Sequence, residues 1–307
     1  MPFFPPEATR RRPFDPGRAG YDAAQAWWLA ALSELAYRNK RYIVEALREA
    51  GFSSVAFVDA RSTQGYLAAH PGMLPGKPFA VLAFRGTEND WADILADLTF
   101  LRTRLPDEPY SAHAGFVYAF KEVWGASVEG LDSPEFPVRW YGARGVSDAL
   151  EEYGRGVPVF FTGHSLGGAI ATVAAHYWPP RALYTFGSPR VADRALARRF
   201  AARGIAIYRV VNSTDAVARV PFALLGFRHV GELVYFTRGG RRLAGRAARV
   251  RFRLGSLWTL LLLPCFAPPL ALVSVAANFL VAALIRPRLF VNHRIAEYRR
   301  KLEAPAP

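Results

Sequence analysis

The most restrictive feature of the sequence is a serine framed by glycines, Gly163-His164-Ser165-Leu166-Gly167, between two different hydrophobic patterns. Residues 157–162 favour a strand buried on both faces, and the small apolar residues after the serine favour a helix running to about Tyr177. At such a sharp turn the serine backbone is strained, and only glycine fits easily two residues before and after it. This is the G-x-S-x-G nucleophile elbow, and we expect the Ser165 side chain to project, exposed, from the turn.

Strand and helix patterns alternate along the 307 residues, which predicts an α/β domain with a mostly parallel sheet flanked by helices. Further strands are predicted at 54–59, 65–69, 79–84, 182–186 and 205–211, and helices at 24–37, 40–50, 90–101, 113–123 and 145–154. We expect one domain over residues 21–307, preceded by a basic, proline-rich tail at residues 1–20 whose arginines are exposed.

The net charge of +14 bears on the partners of the chain. Such a charge favours contact with nucleic acid or an anionic membrane surface, unless it reflects an arginine-rich composition alone. No nucleic-acid-binding module is recognisable, so no nucleic-acid partner is predicted.

The single cysteine, Cys265, allows no intramolecular disulfide and fits a reducing compartment. With no signal-peptide pattern before residue 21, we expect a cytoplasmic protein.

A serine nucleophile requires a base, and the chain has six histidines. His164 is expected to point away from Ser165, and His176 lies on the following helix. Elbow-type hydrolases place the acid and then the histidine after the serine, which leaves His229 and His293 as candidate bases.

The candidate acids between the serine and His293 include Asp193, Asp215 and Glu232. Asp215 follows the strand at 205–211, at the sheet edge where α/β folds build their sites. Asp193 could instead cap a helix that starts near Arg194. Asp215 is therefore the better candidate.

Six short motifs occur in a fixed order along the chain. They are Phe84-Arg85-Gly86-Thr87, Asp90-Trp91 to Asp97-Leu98, His113-Ala114-Gly115-Phe116, Gly163 to Ala169, Thr185 to Val191 and Val211 to Asp215. This combination resembles the class 3 (fungal-type) lipases over roughly residues 24–235 and again around His293. The resemblance implies an α/β-hydrolase fold and hydrolysis of a lipid carboxylic ester, with no metal or cofactor.

Carried over position by position, the resemblance implies a catalytic triad and an oxyanion hole. Ser165 would be the nucleophile, Asp215 the acid and His293 the base. Thr87 and the backbone N–H of Leu166 would form the oxyanion hole. The motif around His293 is short, so His229 stays the alternative base, and His113 is expected to be structural.

One segment departs from the family pattern: residues 254–285 contain no charged residue and arginines flank both ends. A single membrane crossing would separate Asp215 from His293. Prolines divide the block into arms too short to cross a hydrocarbon core of about 30 Å as helices. We expect a re-entrant hairpin before the catalytic histidine that associates with the membrane; the alternative is a helical cap, an acyl-binding wall or an oligomer interface.

Three functions therefore compete. The first is a lipase or phospholipase that forms an acyl-enzyme at a membrane surface. The second is a soluble esterase acting on non-lipid esters, which the hydrophobic block disfavours. The third is a non-catalytic lipid-binding module, which the intact set of candidate catalytic residues disfavours. The oligomeric state is left open.

Overall fold

The computed structural model describes residues 2–60, 64–86, 101–125, 128–130, 145–154, 156–260 and 292–303. Its strands are β1 (Ser54–Asp59), β2 (Gln64–His70), β3 (Phe79–Phe84), β4 (Arg102–Arg104), β5 (Ser111–His113), β6 (Val128–Gly130), β7 (Val159–His164), β8 (Ala182–Phe186), β9 (Ile207–Asn212), β10 (Glu232–Phe236) and β11 (Arg242–Leu243). Its helices are α1 (Pro6–Arg11), α2 (Ala23–Leu35), α3 (Lys40–Glu49), α4 (Ala114–Trp124), α5 (Val146–Tyr153), α6 (Leu166–Tyr177), α7 (Arg194–Arg203), α8 (Gly245–Leu260) and α9 (Ile295–Glu303).

The main sheet of these residues has the strand order β11-β10-β9-β8-β7-β3-β2-β1-β6. From β3 through β7, β8 and β9 to β10 the neighbouring strands are parallel, and the pairs at both ends of the sheet are antiparallel. The predicted α/β fold with helices flanking a mostly parallel sheet is confirmed. The carboxyl ends of β7 and β9 lie on one edge of the sheet, because parallel strands run in the same direction.

The sheet is covered on both faces, which explains why its central strands are buried along their whole length. One face packs against α4, α5 and α6, and the other against α2, α3 and α9. Helix α6 is buried from Gly167 to His176, because it is packed between the sheet and α4. Its small residues allow this close approach, so the alanine-rich pattern after the serine has a packing reason.

The N-terminal segment differs from the exposed tail that we expected. Arg10 and Arg11 are exposed as predicted. Phe4 and Phe14, however, are buried in the core, and Phe14 stacks on Phe79 with ring centroids 4.2 Å apart. The apolar side chains between the basic residues therefore anchor this segment to the sheet.

Two predicted elements fall on residues whose structure is not described: the helix at 90–101 and most of the hydrophobic block at 254–285. The block begins inside α8, where Leu254 is exposed. Among the helices in the described ranges, none has the length and apolar character that a membrane crossing requires.

Candidate active site

Ser165 occupies the sharp turn between β7 and α6. Its backbone has φ 59° and ψ −127°, a left-handed conformation that a side chain makes unfavourable by about 1–3 kcal/mol. The Ser165 N–H donates to the carbonyl of Phe186 at 2.9 Å, which ties the turn to the end of β8. The strained turn that the motif predicted is present.

Glycine is required on both sides of this turn. A Cβ on Gly163 would overlap the backbone of Gly167, and a Cβ on Gly167 would overlap the carbonyl of Phe84 at the end of β3. Helix α6 can therefore start directly against the sheet only because both positions lack a side chain.

The expectation of an exposed Ser165 was wrong, since the residue is 1% exposed. The chain leaving β3 passes over it: a Cβ on Gly86 would lie 3.3 Å from the Ser165 Cβ. The segment that follows β3 thus lies close to the serine, a tertiary contact that no local pattern at the elbow encodes.

Asp215 and His293 form a hydrogen-bonded pair, and both are fully buried. The His293 Nδ1 lies 2.8 Å from Oδ2 and 2.9 Å from Oδ1 of Asp215. Asp215 also accepts a hydrogen bond from the backbone N–H of Val217 at 2.9 Å. With Nδ1 protonated and donating to the carboxylate, the neutral imidazole carries its lone pair on Nε2, the atom that a general base uses.

Tyr298, on helix α9, is a third partner of the acid. Its hydroxyl donates to Asp215 Oδ2 at 2.5 Å and accepts from the backbone N–H of Asn212 at 3.1 Å. Burial, and then the neighbouring Asp215 carboxylate, raise the pKa of Tyr298 well above its usual value, so the hydroxyl keeps its proton and acts as the donor.

Asparagine side chains fasten the His293 segment to the end of β9. Asn212 donates to the carbonyl of Asn292 at 2.9 Å, and Asn292 donates to the hydroxyl of Thr214 at 2.8 Å. Lys301 completes the connection through hydrogen bonds of 2.5 Å to Asn212 Oδ1 and 2.8 Å to the carbonyl of Thr237. These contacts fix the position of His293 relative to the strand that supplies Asp215.

His164 supports the base from the other side. Its Nε2 lies 2.6 Å from the His293 carbonyl oxygen, and its Nδ1 lies 2.8 Å from the Tyr37 hydroxyl. A carbonyl can only accept, so Nε2 carries the proton and Nδ1 accepts from Tyr37. Burial, with the nearby His293, holds the pKa of His164 well below its usual value, which keeps this ring neutral. His164 therefore contacts Tyr37 and the His293 backbone, consistent with its expected orientation away from the serine.

Gly187 leaves space for the pair. Its φ is 59°, and a Cβ there would lie 2.6 Å from Asp215 Oδ2 and 2.9 Å from His293 Cε1. Because Gly187 follows Phe186, the hydrogen-bond partner of the Ser165 N–H, the elbow and the acid–base pair meet at the end of β8.

The other candidates lie elsewhere. His229 hydrogen-bonds through Nε2 to the carbonyl of Ala218 at 2.9 Å. Asp193 caps α7, accepting from the N–H of Leu196 at 2.7 Å, as expected. His113 is buried and stacks on Phe116 with ring centroids 4.1 Å apart.

Of the two predicted oxyanion-hole residues, Leu166 is the first residue of α6, where an N–H has no carbonyl partner within the helix. Thr87 lies outside the described residues.

The sequence interpretation missed Tyr37, Asn212, Tyr298 and Lys301. Their roles arise from contacts between elements distant along the chain, and only Asn212, inside the matched Val211 to Asp215 motif, carried a local signal. In the ranges that the structure covers, no group of three or more His, Cys, Asp or Glu side chains is arranged to hold a metal ion.

Comparison with known proteins agrees with this geometry. Residues 81–225 match the family model described as "Lipase (class 3)". A lipase of Rhizomucor miehei is 34% identical over 170 residues, which are 51% of this chain and 41% of that protein. A chloroplastic phospholipase A(1) of Arabidopsis thaliana is 31% identical over 160 residues, covering 49% of this chain and 35% of that protein. The chain thus spans less than half the length of these curated relatives.

Solved structures extend the similarity beyond the sequence match. A triacylglycerol lipase whose catalytic centre is formed by a serine protease triad aligns with a TM-score of 0.55 and 25% identity. The alignment covers 73% of this chain and 84% of that one.

Proposed function

Because the chain belongs to the class 3 lipase family, we propose that it is a serine hydrolase that cleaves carboxylic esters of acylglycerols or phospholipids. One observation carries the proposal: the Asp215–His293 pair, with His293 Nδ1 2.8 Å from Asp215 Oδ2, sits beside a strained elbow that presents Ser165. An acid, a base and a serine on such a turn are the groups that acyl transfer through an acyl-enzyme requires.

We assign the roles by the chemistry of a Ser–His–Asp triad, and the hydrogen bonds between His293 and Asp215 support this assignment. His293 takes the proton of Ser165 as the serine oxygen attacks the ester carbonyl, and it then gives that proton to the departing alcohol. Asp215 holds the imidazole in the tautomer with Nδ1–H and stabilises the charged ring that forms. In the second half-reaction His293 takes a proton from water, which attacks the acyl-enzyme. His293 then gives that proton to the Ser165 oxygen as the fatty acid departs.

The negative charge on the tetrahedral intermediate needs donors near Ser165. The backbone N–H of Leu166, at the positive end of α6, is well placed for this role. We assign the second donor to Thr87 on the family resemblance. Removing one such donor typically reduces the rate by about 10²–10³.

The substrate surface that we propose is an anionic membrane. On helix α8, Ala248 and Phe252 are buried, whereas Arg246, Arg249 and Arg253 are exposed together with Val250 and Leu254. Guanidinium groups beside exposed apolar side chains match a surface of anionic headgroups over acyl chains. The uncharged block at 254–285 would then continue from this helix as a re-entrant hairpin, on the cytoplasmic side of the membrane.

A fluorophosphonate probe and an interfacial assay test the proposal. Wild type and a Ser53→Ala control are expected to be labelled and to hydrolyse emulsified acylglycerols or phospholipid vesicles, whereas Ser165→Ala retains less than about one part in a thousand of the activity. Labelling of Ser165→Ala would remove Ser165 from the nucleophile role. Activity on a soluble short-chain ester with none on any lipid interface would instead identify an esterase of non-lipid substrates.

A further inference from the structure

Two side-chain nitrogens of a buried arginine have no hydrogen-bond partner. Arg209, on β9, is 7% exposed, and neither its Nε nor its Nη1 makes a hydrogen bond. Its guanidinium packs against the Phe252 ring, 5.2 Å from the centroid. A guanidinium withdrawn from water without acceptors is strongly unfavourable, because its N–H groups and its charge both lose solvation.

The surroundings of Arg209 add positive charge. Arg190 and Arg219 are also buried and lie against the same Phe252 ring. These two are satisfied by carbonyls: Arg190 donates to Pro221 at 2.9 Å, and Arg219 donates to Ser213 and Phe252, each at 2.6 Å. Carbonyl groups satisfy N–H groups but carry no negative charge, although the Asp215 carboxylate favours the charged form of Arg219.

Burial and the neighbouring cations both lower the pKa of the Arg209 guanidinium. Burial, reinforced by Arg190 and Arg219, lowers the pKa of Arg209 to about 9. The nearest acid in the mechanism, Asp215, already accepts from His293, Tyr298 and the Val217 N–H. In the part of the chain that the structure describes, no carboxylate pairs with Arg209.

A small cavity adjoins this guanidinium. Its walls include Arg209, His229 and the hydroxyl-bearing residues Thr172, Thr185 and Ser188. Its open space is about 10 Å³, which admits one water-sized particle. A halide ion is close to the size of one water molecule.

We propose that this cavity is a binding site for one small monovalent anion, of halide size, held by the Nε–H and Nη1–H groups of Arg209. A water molecule would satisfy an N–H group but would leave the clustered charge uncompensated, and this difference favours an anion.

The site would link two parts of the catalytic framework. Ser188 packs against the first turn of α6, where a Cβ on Gly168 would lie 2.9 Å from the Ser188 Cβ. Arg219 holds the carbonyl of Ser213, two residues before Asp215. An anion between these elements stabilises the native chain in proportion to its concentration, because it binds the folded state alone.

Thermal unfolding of the intact protein tests the site. Chloride or bromide is exchanged for gluconate at constant ionic strength and pH. For wild type we expect the halides to raise Tm by about 3 °C or more. The Arg198→Gln control, which removes an exposed arginine of α7, should respond as wild type does. Arg209→Met should lose the halide response while unfolding in gluconate at a Tm equal to or above that of wild type, because the unpaired charge is gone.

A crystal of the wild-type protein grown in bromide gives a test independent of variant folding. An anomalous peak within hydrogen-bond distance of the Arg209 guanidinium supports the proposal. A water molecule with no anomalous signal at this position overturns it, as does a halide response of equal size in wild type and Arg209→Met.

Discussion

Tyr298 and Asp215 are joined by a hydrogen bond of 2.5 Å between the phenol oxygen and Oδ2. Tyr298 lies five residues after His293, on the helix that follows it. The segment that brings the candidate base to the site therefore also orients the candidate acid, and the two functions depend on how one helix is docked.

Tyr298→Phe should reduce kcat by about tenfold, equivalent to about 1.4 kcal/mol, with little change in KM. Asp215 keeps its contacts with His293 and Val217 but loses the donor that fixes one of its oxygens. Tyr66→Phe is the matched control, because the Tyr66 hydroxyl is also buried and donates to the Leu32 carbonyl at 2.7 Å, away from the site. The control should lose stability and keep its kcat; an equal loss of kcat in both variants would show that Tyr298 acts only through stability.

His293→Ala should be nearly as damaging as Ser165→Ala, whereas His229→Gln should keep most of the activity. His293 is paired with Asp215, and His229 instead binds the Ala218 carbonyl. Steady-state kinetics on one ester substrate checks the ranking. The reverse ranking would move the base to His229 and would require a different pairing of Asp215.

Acid should destabilise the folded protein below about pH 6.5. Burial lowers the pKa of both His164 and His229 well below 6.5. Between the folded and unfolded pKa values the unfolded chain binds more protons, so the free energy of unfolding is retained above pH 6.5 and decreases as the pH falls below it. His229→Gln, which keeps an N–H donor but does not titrate, should show a smaller decrease in urea unfolding between pH 7 and pH 5. An identical decrease in both proteins would contradict the lowered pKa of His229.

Much of the fold could be predicted because its signals are local. The strand–Ser165–helix turn depends on residues within a few positions of the serine, and the position of Asp215 follows from the end of an apolar strand. Tyr298 could not be found this way, since its contact with Asp215 depends on α9 packing against α2. The burial of Ser165 and the packing of Phe14 on Phe79 are likewise tertiary effects.

Replacing Arg246, Arg249 and Arg253 by glutamine should weaken binding to anionic phospholipid vesicles by about two orders of magnitude at low salt. Each basic residue near such a surface contributes about 1 kcal/mol. The control replaces three exposed arginines of α7, Arg194, Arg198 and Arg199, and changes the net charge by the same amount. Vesicle sedimentation at low and high salt checks the difference, since screening should reduce the contribution of α8. Equal weakening by both sets would mean that overall charge, and not this helix, controls binding.

The packing of α9 against the N-terminal elements determines when, during synthesis of the chain, His293 can reach the site. Glu303 accepts hydrogen bonds from Trp27 and Arg12, and Arg299 binds Glu34 and the Phe3 carbonyl. Residues that precede Ser165 in the chain thus bind the helix that follows His293, and His293 is synthesised after Ser165 and Asp215. A growing chain on the ribosome already carries the serine and the acid but still lacks the base. If the proposed function holds, we expect hydrolytic activity to begin only after α9 has been made and has packed onto the N-terminal elements.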